Sequence, residues 1–598
     1  LPDARLDILR HAAQWVAARF AEEQARRAQM GFNDLLTRLD AALGGPNGAR
    51  LAEVIRTQFP VALIDEFQDT DEIQYRIFDA IYRVEANDQA TALVLIGDPK
   101  QAIYAFRGAD IYTYLAARTA TAGRLYTLSR NFRSTHAMVS AANRCFQLAE
   151  DLKESQGAFL FRSAAGNPVP FFPADANGRK DQLQAGGQPL PALNIWRLPP
   201  PDDGKPMSKT AYLEAMAEVC ASEMVRLLNL GQLGTAGFAG EKGLAALRQA
   251  DLAVLVNNRS EADAIRGALS SRGVRSVYLS EKDSVFQRPE AFDLQLWLGA
   301  CAEPDDGRAL RAALATQTLG LDWASLDSLN HDEIAWDNYV LQFRAYRECW
   351  RRQGVLPMLR RLLNDFRVPV RLLAAGGSGE RSLTDVLHLA ELLQQASSLL
   401  DGEHALIRHL AEQRRDETSG GEARQMRLES DADLVKVVTI HKSKGLEYPL
   451  VFLPFACAFR ATKATDLPLK WHDEEGRLHL ALTADDALLD RVDRERLGED
   501  LRKFYVALTR ARYATWIGAA PVDKLENSAF GYLIGHQLHA GIDALAAGCP
   551  DIAVIDTPAS RPDTYAAHAQ RQIEGPARSS VRAVREHWWI ASYSALHT

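Results

Sequence analysis

The chain has 598 residues, 47% hydrophobic and 24% charged, the make-up of a soluble globular protein with room for three to five domains of about 150 residues each. Lys and Arg number 69 against 77 Asp and Glu, a net charge of −8, so no global basic field advertises nucleic acid. A local basic channel stays compatible with that balance, because only charges near phosphates release counterions.

The six cysteines, Cys145, Cys220, Cys301, Cys349, Cys457 and Cys549, stand singly without C-x-x-C spacing, which argues against a metal centre or a disulfide framework and for a reducing compartment. No apolar run approaches the roughly 20 residues of a membrane span and no signal peptide opens the chain, so a cytoplasmic protein without membrane association is expected. The first residue is Leu1 rather than Met, the mark expected of a fragment or a processed piece.

In chain order, residues 4–43 alternate charge and apolarity at helical spacing and end at the breaker 44-GGPNG-48. From 60 to 145, short apolar runs (61-VALI-64, 92-ALVLI-96) alternate with helical patterns, which predicts a parallel α/β unit. Residues 164–206 are rich in Gly, Pro and Asn and read as a loop or linker. A second α/β unit follows, with strands 252-LAVLV-256 and 275-RSVYL-279 around the helical 261-EADAIRGALSSRG-273. The span 303–413 reads as mostly helical and is closed by the polar stretch 414-RRDETSGGEARQ-425. Strand character returns at 434-LVKVVTI-440 and 450-LVFLPF-455, before the helix-like 498-GEDLRKFYVALTRARY-513.

Several of these segments carry chemistry. The run Val61–Ile64 predicts a buried strand delivering Asp65 and Glu66 to its carboxyl end, where nucleotide-hydrolysing enzymes hold Mg²⁺ and activate water. A second strand, in 93-LVLIGDPKQAIYAFRGAD-110, leads into a turn with Gln101, Tyr104, Phe106 and Arg107. A glutamine there can bond a terminal phosphate or its attacking water, and exposed aromatics beside an arginine stack on unpaired bases. A polar turn with Phe106 in the core is the plainer alternative. Arg133, just after a strand, and Arg510, on a predicted helix, are candidates for γ-phosphate contact, each otherwise a surface arginine. The turn in 437-VVTIHKSKGLEYPLVFLP-454 presents His441, Lys442, Lys444 and Glu447. Glu447 can take a ribose hydroxyl or cap a helix, and a lone histidine such as His441 is by default structural.

The succession DEFQDT, GDPKQAIYAFRGAD, NFRS, HKSKGLEYP and YVALTRAR resembles motifs II to VI of superfamily 1 DNA helicases of the UvrD/Rep type. Within that group, GDPKQAIYAFRGADI, 426-MRLESDADLVKVVTIHKSKGLEYPLVFLP-454 and 588-WWIASYSAL-596 are most similar to the RecB family, the beta subunits of bacterial exodeoxyribonuclease V. The resemblance runs from 32-FNDLL-36 to the end. It implies an α/β fold of two RecA-like P-loop NTPase domains, the first incomplete, with mostly helical inserted subdomains. The implied division is a helical 1B remnant at 1–48, domain 1A at 49–124, the first part of domain 2A at 125–302, a helical 2B subdomain at 303–428, the second part of 2A at 429–525, and an extension at 526–598. By the same resemblance Asp65 binds Mg²⁺, Glu66 is the base for the attacking water, and Gln101, Arg133 and Arg510 contact the γ-phosphate of ATP. Glu447 touches the ribose, and Tyr104, Phe106, Arg107 and His441 face single-stranded DNA. Implied partners are single-stranded and duplex-end DNA and RecC-like and RecD-like subunits in a bacterial cytoplasm, in double-strand-break repair and recombination.

No G-x-x-x-x-G-K-[ST] loop occurs in these 598 residues. In the resembled family that loop lies upstream of DEFQDT, so the chain is expected to be truncated before it and not to hydrolyse ATP by itself, since the backbone cradle and its lysine hold the phosphates. The family's C-terminal nuclease domain is likewise not expected here, and Asp151-Leu152-Lys153 lacks the company of a two-metal site. The alternative is a natural non-catalytic scaffold that binds DNA or partner subunits.

Overall fold

The structure is a computed structural model describing residues 5–152, 155–164, 166–201, 204–279, 284–374, 379–415, 433–556, 558 and 560–566. Lys153, most of the polar stretch 414–425, residues 426–432 and the ending 588–596 lie outside the described residues. The fold is mixed α/β, in two lobes of very unequal sheet size with a helical insertion in the larger.

The first lobe has two short strands, β1 (Val61–Ile64) and β2 (Ala92–Leu95), paired in parallel from Val61 opposite Ala92 to Ile64 opposite Leu95. Helices Phe32–Leu43, Gly48–Gln58 and Glu72–Tyr82 gather on one side, where Ile77, Ile81 and Tyr82 are buried against Leu36, Leu39, Ile55, Ala62 and Leu93. The other side is open: Val61 is 58% and Leu63 64% exposed. This corrects the expectation of a buried strand, for among the described residues no second layer covers that face. Helix Arg5–Arg26 also buries none of its residues.

The second lobe is built on seven strands, β3 (Leu193–Arg197), β4 (Leu252–Val256), β5 (Ser276–Leu279), β6 (Val435–Thr439), β7 (Tyr448–Leu453), β8 (Ala511–Ala519) and β9 (Ile552–Asp556). They are parallel throughout, in the order β5-β6-β4-β7-β8-β3-β9. Parallel strands covered on both faces become continuous apolar runs, and every residue of β3 and β4 is buried. The edge strand β9 lies in the stretch 526–598 that the sequence suggested to be an extension.

Between β5 and β6 the chain leaves the sheet and makes the helical insertion, with its own core around Trp297, Phe343, Tyr346 and Leu362, then returns to pair directly beside the strand it left. The insertion is therefore tethered at one place on the sheet, at the β5/β6 edge. All six cysteines are free, and no described helix is long and apolar enough to cross a membrane.

Candidate nucleotide and nucleic-acid site between the lobes

At the end of β1 the chain turns sharply. Glu66 adopts a left-handed conformation (φ 52°) and its N–H donates to Asp65 Oδ1 at 2.9 Å, leaving two adjacent carboxylates at the strand's carboxyl end. Buried Gln68 donates to the Glu66 carboxylate and accepts from the Asp98 N–H at 3.0 Å, so one amide joins the loops after β1 and β2. Gly97 makes this possible: a Cβ there would lie 2.6 Å from Gln68 Oε1. Gln101 ends a single 3-10 turn beyond β2, its amide donating to Asp98 Oδ2 at 3.1 Å.

Across the cleft the second lobe presents cations. Lys444, its side chain 4% exposed, follows the short helix Ile440–Ser443, and its Nζ lies 2.7 and 2.6 Å from the two Asp69 oxygens, 2.9 Å from the Gln101 carbonyl and 3.6 Å from Glu66 Oε2. Burial raises the Asp69 carboxyl above its ordinary value, and the Lys444 ammonium opposes that shift. Glu447 caps no helix; it sits between Arg133 (Nε 3.2 Å) and Arg512 (Nη1 3.3 Å).

Arg510 lies in the two-residue turn between helix Asp486–Leu508 and β8, not on the helix as its sequence suggested, because the helix stops at Leu508 and Ala511 already pairs with Tyr448. Arg510 is 3% exposed, and its guanidinium donates to the Val506 and Leu446 carbonyls and to Thr509 Oγ1, at 2.9, 3.1 and 3.1 Å. Burial first, and the neighbouring Arg133 second, bring its pKa down to about 10, so it remains a cation at neutral pH. Glu66 is among the charges that act on it, which sets Arg510 and the carboxylates in one electrostatic field.

Beside this cluster, Tyr104, Phe106, Arg107 and His441 come together. The Phe106 ring is 5.0 Å from His441 in an edge contact and 5.9 Å from Tyr104, and the Arg107 guanidinium stands 5.1 Å over Tyr104 and 5.7 Å over Phe106. Phe106 is 57% exposed, which removes the alternative of a core aromatic. Burial lowers His441 to about 4, so its ring is neutral at pH 7 and acts as a flat polar surface. Exposed rings with one arginine are the means of stacking on unpaired bases.

Asp65 and Glu66 suit a Mg²⁺ that takes one or two carboxylates from protein and the rest of its oxygens from phosphates and water. Among the described residues no cluster of three His, Cys, Asp or Glu could hold a metal unaided. Sequence reasoning missed Gln68, Asp69 and Arg512, and left Lys444 without a role; its only hint was a pair of lysines in the turn after β6.

Residues 5–121 match the UvrD/REP helicase N-terminal domain and residues 355–520 the UvrD-like helicase C-terminal domain. The chain thus carries the N- and C-terminal domains of a UvrD-like helicase. It is 43% identical over 537 residues to the RecBCD enzyme subunit RecB of Escherichia coli (strain K12), covering 89% of this chain and 44% of that protein. The Haemophilus influenzae RecB subunit is 37% identical over 508 residues (84% and 40%), and that of Mycobacterium tuberculosis 32% over 525 (84% and 44%). Within the UvrD-like class the chain is accordingly a RecB homologue, spanning less than half the length of these relatives.

Proposed function

We propose that this chain is the motor portion of a RecB-like, ATP-dependent DNA helicase and exonuclease subunit that acts in double-strand-break repair and recombination. The observation that carries this reading is the meeting, across one cleft, of the Asp65–Glu66 carboxylates with the cations Lys444, Arg133 and Arg510, beside an exposed aromatic and arginine loop. In this reading Asp65 holds Mg²⁺, Glu66 takes the proton of the attacking water, and Gln101, Arg133 and Arg510 respond to the γ-phosphate of ATP. Glu447, released from Arg133 and Arg512, takes the ribose hydroxyls. Tyr104, Phe106, Arg107 and His441 hold single-stranded DNA. Closing and opening of the two lobes with each hydrolysis would then step the protein along the strand.

The domain division proposed for this motor is 1–48, 49–124, 125–302, 303–428, 429–525 and 526–598. By analogy with the relatives named as RecBCD subunits, its partners are duplex-end DNA and RecC-like and RecD-like proteins in a bacterial cytoplasm. The 598 residues lack a G-x-x-x-x-G-K-[ST] loop, so the chain by itself is expected to bind DNA without turning over ATP. The test is ATP hydrolysis with and without single-stranded DNA, with Glu66→Gln as control. No turnover with retained DNA binding supports the reading for this chain, whereas DNA-stimulated turnover lost in Glu66→Gln would mean that another loop cradles the phosphates. Absence of DNA binding would sink the DNA-motor assignment itself.

A further inference from the structure

The loop between β2 and helix Ile111–Ala120 belongs covalently to the first lobe, yet four consecutive residues of it are bound to the second. The Gln101 carbonyl accepts from Lys444 Nζ at 2.9 Å, and the Ala102 carbonyl from Arg502 Nε at 2.7 Å. The His441 ring donates to the backbone of Ile103, and the Tyr104 hydroxyl donates to the His441 carbonyl at 3.0 Å. The apolar side chains agree: Ala102 and fully buried Ile103 lie in the large hydrophobic core with the strands of the seven-stranded sheet, not in the small core of the first lobe. Ties to the first lobe flank this segment, at Asp98 N–H to Gln68 and, more weakly, at Asp110 N–H to the Thr70 carbonyl at 3.4 Å.

Among these anchors Arg502 is the one with no part in the site described above. It lies on helix Asp486–Leu508, is 6% exposed, and burial holds its guanidinium below the ordinary arginine value. A cation kept in such a place at that cost needs a strong acceptor, and the Ala102 carbonyl is one.

We propose that Arg502 is a positioning residue for the DNA-contacting loop. Through the Ala102 carbonyl it makes residues 101–104, and with them Tyr104, Phe106 and Arg107, travel with the second lobe instead of with the strand they follow. The link to DNA rests on the function proposed above; the mechanical attachment does not.

The test compares wild type with Arg502→Met, which keeps the apolar stem but removes donor and charge, and Arg502→Lys, which keeps a donor. Amide hydrogen exchange is read over residues 101–108, with 252–256 as the folding control, alongside binding of a fluorescent oligothymidylate. A hydrogen bond from a charged donor is worth about tenfold or more in an equilibrium. In Arg502→Met, exchange over 101–108 should therefore rise about tenfold with 252–256 unchanged, oligothymidylate binding should weaken by a similar factor, and Arg502→Lys should recover most of both. Wild-type protection of 101–108 in Arg502→Met, or a Lys variant no better than Met, would overturn the proposal; should Met prevent folding, loop protection in the Lys variant at the level of free peptide would do the same. Wild type that fails to bind the oligonucleotide while the exchange pattern holds would sink the DNA reading and leave the positioning role standing.

Discussion

The central sheets of the two lobes make opposite use of the same kind of strand. Val61–Ile64 and Leu252–Val256 are both short, aliphatic and paired in parallel, yet Leu63 is 64% exposed whereas Leu255 is 2% exposed. The difference lies in their surroundings. β4 has a strand on each side and takes part in the core lined by Ile265, Leu269 and Val438, while β1 has, among the described residues, one neighbouring strand and helices on one face. An apolar strand is thus buried by its neighbours, and its own composition only makes burial favourable.

The largest effect that would sharpen this contrast comes from Trp516. It is 1% exposed and stacks on Phe452 of the adjacent strand, rings 4.5 Å apart and 9° from parallel. Trp516→Ala is expected to destabilise the second lobe by about 3–5 kcal/mol in denaturant unfolding, and a loss under about 1 kcal/mol would mean that the core is far looser than its burial indicates.

Next in size is a pair of opposed pH dependences, both in the second lobe. Burial raises Glu261 from 4.5 to about 7, so the folded chain holds that proton more tightly, and stability present below pH 4.5 is lost as pH rises through 7. Burial lowers His441 from 6.5 to about 4, so the unfolded chain takes that proton first, and stability present above pH 6.5 is lost as pH falls towards 4. The two slopes oppose each other over the shared window. Glu261→Gln should leave stability rising with pH between 4 and 6.5, relative to wild type, and His441→Gln should leave it falling, each by roughly 2–3 kcal/mol. Thermal unfolding across pH 4–7.5 reads this, and two variants with parallel curves would break the account.

The smallest effect belongs to the open face of the first lobe. Leu63→Lys should change unfolding free energy by less than about 0.5 kcal/mol, as exposed substitutions do, while raising the concentration at which light scattering detects association. A penalty of core size would show that this face is covered in solution and would erase the contrast between the lobes.

Much of the candidate site is legible in the amino-acid sequence. The carboxylates stand at a strand end because an aliphatic run followed by Asp65-Glu66 can be read locally, and Phe106 and Arg107 are exposed as their turn composition suggests, with Tyr104 half-buried beside them. The exposure of β1 is not legible there, since it depends on layers that the strand does not encode. Nor is the placement of Arg510, where a helix signal runs across Leu508 and the competing pull of sheet pairing ends it.

What the sequence by itself determined is local: the apolar runs that become strands, the helical periodicity of the insertion, and the order of the motif loops, each set within a dozen residues. What only the tertiary structure decided is which of those loops meet. Lys444 reaches Asp69 and Arg502 reaches Ala102 across hundreds of residues, and β5 rejoins β6 after the whole helical insertion. Such contacts are chosen by the closing of the sheet and the burial of its two faces, a sum over many side chains that no single stretch contains.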